Sequence, residues 1–416
     1  MENGSSQSGF RCVKCGHGYP AEPFRLICEA CGGNLDVLYD YSRVSARWSR
    51  TELERNTDRS LWRYLPLLPV NSAPIRRSLQ VGGTPLVELS RLASEFEIGR
   101  LWVKDDTRNP SASLKDRASE VGIQHAVEAG SDTIVVASTG NAAASLASLS
   151  AWHGMKAVIL APASAPPAKL TQILQYGATL CPVDGSYDDA FDLTLKVAEK
   201  MGWYLRSTGV NPVMSEGKKT VALEIAEQLD WTVPDKVFVP VGDGCIIGGV
   251  YKGFHDLHSL GWIERMPKIY AVQAEGSAAI ANAIHSDSEL QAVKAKTVAD
   301  SISVDFPRDG LKAIRAVQET GGEAITVSDS EILAAQHKLA SSSGIFAEPA
   351  ASAAFAGMIK ACQQGRLGGG DRVAVLITGS GLKDIAAAQK SIVVPKAVEP
   401  TMEGFEKFMR TVGARG

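Results

Sequence analysis

The chain has 416 residues, 45% of them hydrophobic and 21% charged, with a formal net charge of −3. These values suit an ordinary folded chain of two or three domains, and the weak negative balance argues against nucleic acid or an anionic membrane as its main partner. No stretch reads as a signal peptide or a membrane span, because the longest apolar runs, such as "VAVLIT", are strand-sized.

In chain order, the polar start "MENGSSQSGF" is expected to fray. Two CxxC pairs follow, Cys12/Cys15 and Cys28/Cys31, separated by twelve residues. Gly16, Gly32 and Gly33 come after them and let backbone amides turn toward sulfur. Four thiolates suit tetrahedral zinc with no open position, hence a structural site. Two disulfides, or a ribbon that keeps its shape without metal, are the alternatives. His17 reads as a turn residue. Cys181, Cys245 and Cys362 stand alone, which predicts reduced thiols and a cytoplasmic protein.

A variable connector over about 40–80 leads into strand/helix alternation. Strands are predicted at 101–106, 133–138, 156–161, 178–183, 236–242, 268–276, 324–328 and 372–379. Helical patterns lie between them, as at 187–201 and 331–344, and 403–413 is expected to form a short helix in an otherwise patternless tail. Short buried-type strands alternating with helices predict a parallel α/β architecture. Ligands of such sheets bind beyond the carboxyl ends of the strands.

Each strand end carries something unusual. "NPSASLKDRAS" puts Lys115 at the mouth of a helix, where the dipole disfavours a cation. "STGNAAAS" offers Ser138, Thr139, Gly140 and Asn141, small residues at a helix start that suit a carboxylate or another anion. "VGDGCIIGG" offers Gly242, Asp243, Gly244, Cys245 and Ile246, a glycine-rich phosphate cradle. "TGSGLKD" places the Thr378 hydroxyl among glycines. Taken singly, each reads as a solvated lysine or simple turn geometry. Together, with neither a dinucleotide fingerprint nor a Walker motif, a lysine and a separate phosphate cradle point to pyridoxal phosphate.

These motifs, with "GGTPL" (82–86), "NPVMSEGKKTVALEI" and "FAEPAASAA", resemble the fold-type II pyridoxal-phosphate enzymes (tryptophan synthase β-like), most closely the threonine synthases, over nearly the whole chain. The organisation expected is a cysteine ribbon (1–45), a large α/β domain (46–110 and 210–395), a smaller one (111–209) and a tail (396–416). The resemblance implies a lyase that turns O-phosphohomoserine into threonine and phosphate, working as a homodimer on a small amino acid. It implies that Lys115 carries the cofactor and moves the substrate α-proton. Its amine must be favoured by desolvation, since a phosphate by charge alone raises the lysine pKa. Asn141 would hold the cofactor's phenolic oxygen, Ser138, Thr139 and Gly140 the substrate carboxylate, and Gly242–Ile246 the cofactor phosphate. Thr378 would face the ring nitrogen. A neutral hydroxyl there makes a weaker electron sink than an aspartate would allow, which favours loss of a leaving group over transamination.

The chain departs from the family pattern in its phosphate loop, where Asp243 is expected to turn away and cap backbone amides. Ala142 stands where a threonine often follows "STGN". The family stretch NSxNPxR(L/I)EGQKT is here "TGVNPVMSEGKKT", with Thr208, Gly209 and Met214 at the Asn, Ser and Arg positions that bind substrate phosphate. A thioether cannot pair with a dianion. Lys218 and Lys219 could compensate in part, but their bland reading is a solvated helix start. The alternative is therefore elimination or replacement on another β- or γ-substituted amino acid, threonine or serine dehydration among them. A third possibility, a cofactor-binding protein without turnover, is opposed by the intact Lys115.

Overall fold

The computed structural model describes residues 5–74 and 79–413. Residues 1–4 of the start expected to fray lie outside this set, but from Gln7 the chain is a strand. β1 (Gln7–Cys12) lies between β2 (Gly18–Tyr19) and β3 (Leu35–Tyr39) in an antiparallel sheet, with Phe10 opposite both Tyr19 and Val37. Alternation puts Leu35, Val37 and Tyr39 on one buried face with Phe10 and Cys12.

The segment read as a connector is partly core. Short helices Tyr41–Ser45 and Arg50–Arg55 are capped by the Asp40 and Ser49 side chains. The 3-10 turn Leu61–Leu67 then buries Leu61, Trp62, Tyr64 and Leu67.

The remaining strands form two sheets. The larger has the order β12-β11-β10-β13-β5-β4: β4 is Leu86–Glu88, β5 Arg100–Asp105, β10 Lys236–Pro240, β11 Lys268–Ala274, β12 Ala324–Val327 and β13 Arg372–Ile377. All its pairings are parallel except β4 with β5. The smaller is wholly parallel, in the order β8-β7-β6-β9: β6 is Thr133–Ala137, β7 Lys156–Pro162, β8 Thr179–Val183 and β9 Tyr204–Leu205. The eight predicted strands agree with these to within two residues at each end. β4 and β9, of three and two residues, are too short to leave a pattern.

Apolar residues cover both faces of the larger sheet. Val237, Val239 and Ile269 pack toward one face with Phe254 and Leu223. Phe238, Tyr270 and Val272 pack toward the other with Phe355 and Met358, the Phe238 and Tyr270 rings stacking at 4.7 Å. This two-sided burial is why the strands read as continuous apolar runs.

Six helices matter for the site: α1 (Lys115–Glu128), α2 (Asn141–His153), α3 (Tyr187–Met201), α4 (Val213–Gln228), α5 (Cys245–Ser259) and α6 (Pro349–Gln363). α4 crosses α1 and α5 at glycines. A Cβ on Gly217 would lie 2.2 Å from Arg117 O, and one on Gly253 would lie 2.5 Å from Lys219 O. Among the described residues no helix is long and apolar enough to cross a membrane.

Candidate active site

The loops after β6, β9 and β10 open into one cavity of about 930 Å³, with Lys115 in its wall. The end of β13 fixes where that lysine begins its helix. Leu114 N donates to Thr378 O at 2.9 Å, and Ser113 bridges to Gly379. In the first turn of α1, buried Asp116 accepts from Ser111 N at 2.6 Å. Burial pushes the Lys115 pKa down, and Arg206 adds to this, while Cys245, Asp243 and Glu348 oppose it. The direction favours the free amine.

Ser138, Thr139, Gly140 and Asn141 line the same cavity at the start of α2. Gly140 N donates to Ser138 Oγ at 3.2 Å. Asn141 is held by a residue that the sequence reading did not single out. Its Nδ2 donates to Glu348 at 2.9 and 3.0 Å. Glu348 stands directly before α6, is 4% exposed, and has its pKa raised by burial. The signal for it was a glutamate directly before a helix-opening proline in "FAEPAASAA".

Gly242, Asp243, Gly244, Cys245 and Ile246 form another wall, leading into α5. Gly244 has φ +96°, and a Cβ there would meet Asp309 O at 2.5 Å. One on Gly242 would lie 2.9 Å from Ile302 Cα. Asp243 Oδ1 accepts from Arg308 N at 3.3 Å, a backbone cap as expected, although the residue stays in the cavity wall and burial raises its pKa. Thr378 is not in that wall; it is 7% exposed, and its carbonyl accepts from Leu114 N.

The expectation that Lys218 and Lys219 are solvated is wrong, because both are fully buried. Lys219 pairs with Glu216 and, at 2.6 Å, with Asp256. Lys218 Nζ has no hydrogen-bond partner among the described residues. Burial brings its pKa down to about 7, with Lys115 and Arg206 adding to the effect. Arg206 is also fully buried and donates only to neutral groups: Ser119 Oγ at 3.1 Å, Thr208 Oγ1 at 3.1 Å and Lys115 O at 3.2 Å. Thr208 and Gly209 line the cavity, whereas Met214 is buried in the core under Gly122, whose Cβ would lie 2.5 Å from Met214 Cε.

Uncompensated cations beside a glycine cradle at a helix N-terminus are what a phosphate ester requires. The residues present therefore fit pyridoxal phosphate, with Lys115 within the same cavity. The ribbon fits a metal as well. The sulfurs of Cys12, Cys15, Cys28 and Cys31 all lie within 4.8 Å of one another, with Cys12–Cys31 at 3.5 Å and Cys15–Cys28 at 3.6 Å. Tetrahedral zinc bound at about 2.3 Å would set its sulfurs about 3.8 Å apart. The four are free thiols, not disulfides, as are Cys181, Cys245 and Cys362.

Comparison with known proteins agrees with this geometry. A model of the pyridoxal-phosphate dependent enzymes matches residues 77–379. The threonine synthase of Methanocaldococcus jannaschii is 38% identical over 403 residues, 96% of this chain and 99% of that protein. That of Methanosarcina acetivorans is 39% identical over 395 residues, 94% of this chain and 95% of that protein. Among solved structures, threonine deaminase isoform 2 from Solanum lycopersicum superposes with a TM-score of 0.65 at 22% identity, covering 74% of this chain and 82% of the other; this is a likeness of fold. The chain belongs to the pyridoxal-phosphate dependent enzymes, as a threonine synthase-like lyase of fold type II.

Proposed function

We propose that the enzyme converts O-phosphohomoserine to threonine and phosphate. The observation that carries this reading is the meeting of Lys115, the glycine cradle Gly242–Ile246 and the buried guanidinium of Arg206 around one cavity. Relatives named threonine synthase over nearly the full chain support the choice of substrate.

When bound, pyridoxal phosphate supplies an electron sink for negative charge at the substrate α-carbon. In this reading the amides of Gly242–Ile246 and the N-terminus of α5 hold its phosphate, with Lys218 adding charge. Asn141, oriented by Glu348, would hold the ring's phenolic oxygen, and the Thr378 hydroxyl would serve the ring nitrogen. Ser138, Thr139 and Gly140 hold the substrate carboxylate at the start of α2. Lys115, kept toward the free amine by burial, takes the α-proton and returns protons later. Arg206 and Thr208 supply donors for the substrate phosphate that position 214, lost to the core, does not. The ribbon cysteines hold zinc, and the protein works as a cytoplasmic homodimer.

A second reading, elimination or replacement on an amino acid without a phosphate, is favoured by Met214 in place of the family's arginine. Incubation with O-phospho-L-homoserine separates the two, with phosphate release and amino-acid product followed together. Threonine appearing in step with phosphate is expected. No product, from an enzyme whose cofactor absorbance still responds to other amino acids, would establish the second reading.

A further inference from the structure

Asn34 stands three residues past Cys31, on the stem of the ribbon. The backbone of the stem Gly33–Asn34 is tied to both cysteine knuckles. Val13 N, between Cys12 and Cys15, donates to Asn34 O at 2.9 Å, and Cys28 N donates to Gly33 O at 2.8 Å. A Cβ on Gly33 would lie 2.9 Å from Cys12 Sγ and 3.3 Å from Cys31 Sγ, so the stem sits hard against the sulfurs. Where the sulfurs are therefore decides where Asn34 is.

The Asn34 side chain leaves the ribbon and joins two parts of the site. Nδ2 donates to Gly209 O at 2.8 Å and to Asp309 Oδ1 at 2.9 Å. Gly209 lines the cavity. Asp309, 2% exposed, braces the phosphate loop: its N donates to Asp243 O at 3.0 Å, and its carbonyl fills the space beside Gly244. A parallel chain of ion pairs runs the same way. Asp36 of β3 pairs with Arg315 at 2.6 Å and Lys312 at 3.7 Å, and Lys312 with Asp309 at 3.4 Å.

We propose that Asn34 is a positioning residue that transmits metal binding by Cys12, Cys15, Cys28 and Cys31 to the loop Gly242–Ile246. With the metal held, the knuckles keep one register, and Asn34 pins Gly209 and Asp309, so the loop is preformed for phosphate. Without it, four thiols do not fix the knuckles. Asn34 is then freed, and cofactor binding bears the cost of ordering the loop. By linkage, bound cofactor tightens metal binding by the same factor. The inference rests on reading Gly242–Ile246 as the cofactor-phosphate loop.

The test uses the full chain, loaded with zinc and stripped of cofactor, then titrated with pyridoxal phosphate and followed by absorbance and protein fluorescence. Chelation is expected to weaken wild-type binding about tenfold. Asn34→Ala is expected to keep its zinc, to bind cofactor several-fold more weakly, and to lose less on chelation than the wild type, since the Asp36–Lys312–Asp309 chain remains. Asn34→Asp, of equal size but without the donor, is expected to repeat this and stands in if Asn34→Ala does not fold. The proposal is overturned if the zinc-loaded variants bind cofactor as the wild type does, if chelation weakens variant and wild type equally, or if the wild type retains no zinc. None of these readouts needs turnover, so failure to convert O-phosphohomoserine would sink the proposed reaction alone.

Discussion

Lys115 and Lys218 are both enclosed, yet only the first announces itself in sequence. Lys115 follows a strand and opens a helix inside a distinctive motif, so its place in the chain stood out in sequence, while the role proposed for it came with the family resemblance. Lys115→Ala is expected to remove the visible absorbance of bound cofactor and to lower turnover by about 10³-fold or more; a variant keeping both would take Lys115 out of the mechanism. Lys218 looks like a polar helix start, because its burial against Gly249 of α5 is a tertiary fact. The same holds for Arg206 and Glu348, whose partners lie far away in the chain. Lys218 loses its proton near pH 7 in the folded free protein, against an ordinary value of 10.5. Between those values the unfolded chain binds more protons, so stability of the free protein rises with pH. Phosphate affinity, which needs the ammonium, runs the other way and falls as pH climbs through about 7. Titrating cofactor-free protein with pyridoxal phosphate on either side of pH 7 should show that fall in the wild type and not in Lys218→Met. Identical profiles would remove Lys218 from phosphate binding.

At the scale of elements, the parallel strands were legible because two-sided burial writes itself as short β-branched runs. The 61–67 turn was not, since its Pro66 and its brevity leave no period while Trp62 and Tyr64 still go inside. α4 was misjudged at its start for a different reason. Lys219 is neutralised in place by Glu216 and Asp256, and Lys218 is buried without a partner among the described residues, which no window of sequence can show. The close crossings of α4 also rest on single glycines. Gly217→Ala would drive a methyl into the Arg117 carbonyl and push α4 away from the helix that carries Lys115. We expect a loss of about 1–3 kcal/mol, read from thermal unfolding, with cofactor affinity falling as well. An unchanged melting temperature would mean that the crossing relaxes without strain.

Across the whole molecule, one buried network links β5 to α1 and α4. Arg117 pairs with Asp106 at 2.7 Å and with Glu224 at 2.6 Å, and Lys104 reaches Glu224 at 2.7 Å. Arg117→Met leaves two carboxylates without their guanidinium and should cost about 3–5 kcal/mol, measurable by denaturant unfolding. Burial alone would raise the Glu224 pKa, but Arg117 and Lys104 overturn that and hold it at about 2. Its contribution is present above the ordinary value of 4.5 and disappears as pH falls from there toward about 2. Arg117→Met should therefore flatten acid unfolding in that window, and an unaltered acid profile would show that the network is not what fails. The groups facing the cavity stand on loops at strand ends, apart from these ion pairs. Thr208 can thus be exchanged without disturbing that network, whereas a side chain at Gly209 would meet Arg308 Cβ at 2.8 Å, so a lineage of such chains has more room to retune the pocket at 208 than at 209.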